Sequence, residues 1–378
     1  MFETPVHVAQ VNLPAWDEVE RAFRGIFERR FFANHGPLVR ELDAAFAEAT
    51  GVDHAVCVTN GTVALMILAQ ALELSGEVIV PAFTFPATVQ ALRWAGLEPV
   101  FCDVDPQTHM ICAATVGPLI TPRTRGVMGV HLWGRACDPD GLQALCEDHG
   151  LALMFDACHA VACTHRGAPI GGLGAGEAFS FHATKVLNGG EGGCITTNDA
   201  GLAARLRTIR SFHPGETFAQ VPTRMNGKMS EAQAALALIS LKDLPVNVEA
   251  NRRRYEQYAA ILAEVPGLDL VRYDPREENS FQYVVVEVAP EAFGLNRDQL
   301  LAALAAENIL CRRHFYPAVH RMAPFDRSPL RLPVTEQLCE RLIQLPNGQA
   351  MDVQDVTRVG EAIQSIRASR DALLNAAR

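Results

Sequence analysis

Between about residues 50 and 200 the chain repeats one pattern: a short apolar run, a turn, then a stretch with helical spacing. Parallel strands need a connection of about a dozen residues or more, and the helices in those connections cover the faces of the sheet. The repeat therefore predicts an α/β fold with a large, mostly parallel sheet domain covered by helices. Residues 55–58 read as a strand, and Asn60-Gly61-Thr62 opens an apolar helix reaching about residue 74. Residues 78–80 form the next strand, after which Thr84 is placed to cap a helix with Pro86 in its first turn and Gly96 at its end. Asp138-Pro139 begins another helix, closed by Gly150, and the apolar run 151–155 stops at Asp156.

Further on, Phe179-Ser180-Phe181 and a glycine-rich stretch precede a strand at 194–197 and a helix carrying Arg205, Arg207 and Arg210. Ser230 with Gln233 makes a capping box before an Ala/Leu-rich run to Leu241, and a separate long helix covers 251–262. Then come a strand at 281–288, a helix at 298–307, a Pro- and His-containing segment at 314–333, and a last helix from Asp352. These signals divide the 378 residues into a large domain at 1–245, including the N-terminal segment, and a smaller α+β C-terminal domain at 246–378.

Charged residues make up 20% of the chain and the formal net charge is −10, so no protein-wide basic field exists for nucleic acid or an anionic membrane; a local cationic pocket stays open. The ten cysteines include no CxxC pair, which points to reduced, buried thiols and no metal site. The first fifteen or so residues lack a basic n-region and a long apolar run, and apolar stretches elsewhere are strand-sized, so the expectation is a cytoplasmic protein.

Lys185 lies in Phe179-Ser180-Phe181-His182-Ala183-Thr184-Lys185, followed by Asn188-Gly189-Gly190-Glu191-Gly192-Gly193. A lysine so constrained can serve as a nucleophilic amine once burial or cationic neighbours lower its pKa, although a surface lysine beside a loop also fits. Asp156 ends a buried strand, where parallel sheets place ligands; a helix cap or a salt bridge is the plainer reading. Gly61 and Thr62, at a strand-to-helix junction, offer N–H groups to an anion, and Ser180 a hydroxyl, yet Asn-Gly-Thr is also a common turn. Phe85 could stack on a flat ring or pack in the core, and His159, three residues after Asp156, could meet a ligand or be structural. Gly171 to Gly176 is not a dinucleotide fingerprint, because a strand follows it.

These residues, with Gly36-Pro37, Pro81-Ala82-Phe83-Thr84-Phe85, Pro99-Val100-Phe101-Cys102-Asp103-Val104-Asp105, His131-Leu132-Trp133-Gly134 and Asp156-Ala157-Cys158-His159-Ala160, resemble the DegT/StrS-type sugar aminotransferases over nearly the whole chain. The resemblance implies the fold-type-I architecture of aspartate aminotransferase and pyridoxal 5′-phosphate as cofactor, with pyridoxamine phosphate as its aminated form. It implies Lys185 as the Schiff-base lysine, Asp156 as the partner of the pyridine nitrogen, Phe85 against the ring, His159 near the ring hydroxyl, and Gly61, Thr62 and Ser180 at the phosphate. Asn226, in Met225-Asn226-Gly227-Lys228-Met229-Ser230, would reach the phosphate of a neighbouring subunit, which implies a homodimer with shared sites. Cys158 stands where the family more usually has alanine, and Ser211-Phe212-His213-Pro214-Gly215 departs from its usual pattern.

The implied reaction moves an amino group from an amino acid, with glutamate expected, to a nucleotide-linked keto-deoxysugar, at C4 by the look of the Asn226 segment, with C3 open. His314 is a sugar-pocket candidate, and Lys228, Arg312 and Arg313 are candidates for the diphosphate. The alternatives are a sugar dehydratase or lyase of the same family, some of which have histidine in place of the lysine, and a non-catalytic cofactor-binding regulator.

Overall fold

The structure is a computed structural model of the chain and describes residues 2–212, 219–326 and 329–371. Its main sheet has seven strands, in the order His54–Val58, Gly193–Thr197, Gly176–Ser180, Ala152–Asp156, Thr124–Val130, Glu77–Pro81 and Glu98–Cys102. From Gly176–Ser180 to Glu98–Cys102 all neighbours are parallel, while Gly193–Thr197 runs antiparallel to both of its neighbours. Alternation along each strand supplies both cores. Val78 and Val80 pack with Leu65, Leu68 and Met154 on one face, and Ile79 packs with Val127 and Phe155 on the other. Helices Gly61–Ala71, Pro86–Trp94, Pro139–His149 and Ala200–Ile209 follow strands and cover the sheet. The expected sheet and its helical layers are therefore present.

Two local expectations change. The helix Pro86–Trp94 begins at Phe85 without a side-chain cap, and the Thr84 hydroxyl instead bonds that of Thr88, 2.8 Å away. The two helices expected around residue 245 are one, Glu231–Leu262, which starts at the predicted Ser230/Gln233 capping box and carries Pro245 inside. The proline gives up one backbone bond, but tertiary packing outweighs it: the first half buries Ala234, Ala235 and Ala237, the second Tyr255, Tyr258 and Leu262. The residue-245 line drawn from sequence thus falls within a helix.

Beyond it, Leu268–Leu270, Val284–Val288, Leu342–Leu345 and Arg312–Arg313 form an antiparallel four-stranded sheet in that order. Helices Arg297–Ala306 and Val353–Ala368 bury Leu300, Leu304, Val356 and Val359 in its core. The start of the chain crosses back, since Val6–His7 pairs with Ile309–Leu310. All ten cysteines are free thiols. Among the described residues no helix is long and apolar enough to cross a membrane.

Candidate active site

A parallel sheet gathers the C-terminal ends of its strands on one edge. Here Val58 runs on to Asn60 and Gly61, Pro81 to Thr84 and Phe85, Val130 to Trp133, and Ser180 to Lys185, while Asp156 is itself a strand end. A cavity of about 720 Å³ opens at this edge. Gly61, Thr62, Phe85, Asp156, His159, Ser180 and Lys185 all line it, joined by Arg312, Arg313 and His314 from the C-terminal part. Residues singled out separately in the sequence thus share one space.

Asp156 is 6% exposed. Its Oδ2 accepts from Thr88 Oγ1 at 2.7 Å, and its Oδ1 accepts from the Cys158 N–H at 3.0 Å. Thr88 is held in turn by Thr84. A buried carboxylate with fixed donors on both oxygens stays in one orientation and retains lone pairs for a further cationic or N–H partner.

Lys185 Nζ donates to the Tyr283 hydroxyl at 2.9 Å. Burial works against its charge, but Tyr283, Cys158 and Asp156 outweigh that and hold the ammonium above the ordinary lysine range. The expectation of a lowered lysine pKa is therefore reversed in the free chain, because the tyrosine oxygen and the carboxylate favour the charged form. The Cys158 thiol, next to Lys185, is pushed well up by burial and by Asp156.

The anion cradle is close-fitting. Asn60 caps helix Gly61–Ala71, its Oδ1 taking the Val63 N–H at 2.9 Å, and the N–H groups of Gly61 and Thr62 have no partner among the described residues. A Cβ on Gly61 would lie 2.8 Å from Ser180 Cβ and 3.1 Å from Cys158 Sγ. On Gly193, in the neighbouring strand, one would lie 2.6 Å from the Asn60 carbonyl carbon. Glycine at both positions lets the helix start against the strands, and its open end gives the cavity two donors and the positive pole of the helix.

Phe85 is 59% exposed, so it is not a core residue; its ring flanks the cavity. His159 Nδ1 accepts from the Trp133 N–H at 3.3 Å, and its ring centroid lies 4.4 Å from that of Tyr283. His314 Nδ1 accepts from Trp133 Nε1 at 3.1 Å. Burial, then Lys185, push both imidazoles down, His314 to about 3, so both are neutral near pH 7.

The cationic candidates separate. Arg312 lines the cavity, and its guanidinium has no hydrogen bond or ion pair among the described residues. Arg313 also lines it, but its Nε bonds Asp298 Oδ1 at 2.8 Å and its guanidinium lies 5.3 Å from the Tyr316 ring. Lys228 Nζ bonds Asn226 Oδ1 at 2.7 Å, and neither residue lines the cavity of its own chain. Asn226 is exposed. Of the departing segment at 211–215, residues 213–215 lie outside the described residues.

Sequence reasoning missed Thr88, Trp133 and Tyr283 as site residues. Thr84 and Thr88, four apart before and within one helix, carried a signal for a paired hydroxyl relay. Tyr283 carried none, since it meets Lys185 only when the second sheet closes on the first.

Against known proteins, residues 16–364 match the model of the DegT/DnrJ/EryC1/StrS aminotransferase family. The dTDP-4-amino-4,6-dideoxy-D-glucose transaminase of Shigella dysenteriae is 33% identical over 319 residues, 84% of this chain and 86% of that protein. The GDP-perosamine synthase of Caulobacter vibrioides is 34% identical over 365 residues, 94% of this chain and 97% of its own. Among solved structures, DesI in the presence of its TDP-sugar product superposes with a TM-score of 0.96 at 40% identity, covering 100% of this chain and 97% of DesI. The strand order, the site at the sheet edge and these matches agree: the chain belongs to the DegT/DnrJ/EryC1/StrS aminotransferase family.

Proposed function

We propose that this aminotransferase uses pyridoxal 5′-phosphate to move an amino group from an amino acid, glutamate by expectation, to C4 of a nucleotide-linked 4-keto-6-deoxysugar. The observation that carries the reading is one cavity in which three strand ends set a buried carboxylate, Asp156, an amine, Lys185, and an open helix end at Gly61. The residues fit the cofactor: a cradle that a Cβ would fill and two unpartnered N–H groups suit a phosphate, and the doubly anchored carboxylate suits a protonated pyridine nitrogen. Gly61, Thr62 and Ser180 would hold the phosphate, Asp156 the ring nitrogen, Phe85 and His159 the ring, and Lys185 the aldehyde carbon. When bound, the cofactor supplies an electron sink for the carbanion left at the donor carbon.

The chain's own residues supply the rest. Asp156 is oriented by Thr88 and Cys158, so the acceptor for the ring N–H is fixed before binding. Lys185, once its Nζ is free, takes a proton from the donor carbon and returns it, which needs an amine held at one place. Neutral His159 and His314 keep the wall beside Lys185 free of further positive charge. Arg312, without an ion pair, is the cation at hand for the substrate's diphosphate. The names of the two curated relatives, each over 30% identical, support a nucleotide sugar, and the first supports C4.

Asn226 and Lys228, placed off their own cavity, support a homodimer in which each copy completes the other's site. Division into a large domain at 1–245 and a small one at 246–378 belongs to the same reading, the cavity taking residues from both.

The test is a panel of dTDP-, UDP- and GDP-linked ketosugars incubated with the loaded enzyme and [15N]glutamate. The expected product is a 4-amino-6-deoxysugar carrying the label. A dehydrated sugar without nitrogen, or no product across the panel, contradicts the proposal.

A further inference from the structure

Tyr283 stands 98 residues along the chain from Lys185, just ahead of strand Val284–Val288 of the second sheet. It is 7% exposed and lines the cavity. Its hydroxyl accepts the Lys185 ammonium at 2.9 Å, and the Nζ also lies 5.6 Å from the centre of its ring. The backbone carbonyl of Tyr283 is tied to the Tyr273 hydroxyl at 2.7 Å, and its ring packs against His159, so the phenol is held in place. Among the described residues the Tyr283 O–H itself finds no acceptor. A phenol that receives one hydrogen bond and has its own donor left over is suited to stand between an amine and a bound oxygen.

Resting on the assignment of Lys185 as the reactive amine, we propose that Tyr283 is a catalytic residue: its oxygen holds the Lys185 proton whenever Nζ is free, and its O–H is offered to an oxygen of the bound substrate. The proton stays on nitrogen in this pairing and no bond is made or broken at Tyr283. The groups facing Lys185 agree with that division. Asp156 and Cys158 approach from the end of strand Ala152–Asp156 and the turn after it, His159 from the same turn, and His314 from just past strand Arg312–Arg313 of the second sheet, with Arg312 acting on His314. Burial pushes the Tyr283 phenol up, with Lys185 opposing, and pushes the Cys158 thiol up, so both keep their protons near neutrality. His159 and His314 are pushed down and stay uncharged. Asp156 and the phenol oxygen are then what favours the ammonium, and among the described residues the phenol oxygen is the one hydrogen-bond acceptor of Nζ, so its removal leaves the ammonium without that bond.

The experiment uses the cofactor-free protein, whose lysines are Lys185, Lys228 and Lys242. Each is competitively acetylated with acetic anhydride over a range of pH and followed on its own peptide by mass spectrometry. Only the neutral amine reacts, so in Tyr283→Phe the loss of a hydrogen bond to a charged group makes Lys185 react about tenfold faster near pH 8, its profile moving to lower pH, with Lys228 and Lys242 unchanged. In the loaded enzyme kcat falls while cofactor affinity holds. A purely structural tyrosine would move neither the acetylation profile nor kcat alone. Should Tyr283→Phe not fold, incorporation of 3-fluorotyrosine, a weaker acceptor of wild-type shape, must shift the Lys185 profile the same way. An unchanged profile in the folded variant overturns the role of Tyr283. If Lys185→Ala retains transfer, the assignment of Lys185 has failed instead, and if Lys185→Ala is inactive with the Tyr283→Phe profile unchanged, the tyrosine inference alone has failed.

Discussion

At the sheet edge, Asp156, Ser180 and Gly61 are buried and positioned by contacts within the chain, the carboxylate through Thr88 and Cys158 and the glycine by close contact with Ser180. At the rim, Phe85 is 59% exposed and Arg312 is exposed, while off the cavity Asn226 is exposed and the Lys228 side chain has Asn226 as its one hydrogen-bond partner among the described residues. Groups that must not move are fixed by contacts made in folding. The groups proposed to meet the substrate or a second copy keep spare bonding capacity, because a side chain already satisfied gains little from a ligand.

The sharpest way to break this comparison is subunit mixing. Lys185→Ala protein should be inactive, and Asn226→Ala protein weak at limiting cofactor. If Asn226 serves the partner's phosphate, hybrid dimers hold one site with both lesions and one with neither, so an equal mixture should recover about a quarter of wild-type activity by two-fold symmetry. Recovery no better than the average of the parents would show that Asn226 serves its own chain.

Next in size is Gly61→Ala. The new methyl would press on the buried Ser180 Cβ at 2.8 Å, and overpacking of that kind costs about 1–3 kcal/mol, so the folding midpoint should fall and cofactor affinity should drop by about tenfold. Thr62→Ala, at an exposed rim position of the same turn, should cost less on both counts. Equal effects would erase the distinction between a preset inner end and an adaptable rim.

The smallest effect separates the arginines. Arg312→Ala should raise the ketosugar KM by about tenfold, since a charge-assisted bond to phosphate is lost, and leave the single-turnover reaction with glutamate nearly unchanged. Arg313→Ala should move the KM by less than about threefold, because that side chain is engaged by Asp298 and Tyr316. A reversed order in steady-state kinetics would relocate the diphosphate.

Much of the inner end was legible in the sequence because its signals are local. Asp156 closes an apolar run, Lys185 sits in a constrained turn, and Gly61 opens a helix, each readable within a few neighbouring residues. Thr88, 68 residues from Asp156, and Tyr283, 98 from Lys185, are joined to them by strand order and by the closing of two sheets, which no local spacing encodes. The same limit split one 32-residue helix into a run to Leu241 and a helix from 251, where packing on both halves holds the helix through Pro245. Lys228 and Arg313 are diphosphate candidates by their places beside Asn226 and His314; Arg313 does line the cavity but is engaged by Asp298, and Lys228 lies off the cavity of its own chain, bonded to Asn226, which neighbours in sequence do not reveal.

The central claim, that Lys185 is the amine carrying the cofactor in this cavity, is tested most directly by reducing the loaded enzyme with borohydride and mapping the product by peptide mass spectrometry. The account predicts that the cofactor's mass is fixed on the peptide containing Lys185 and is absent from Lys228 and Lys242. Label on either of those lysines, or none on Lys185 with cofactor bound, would contradict it.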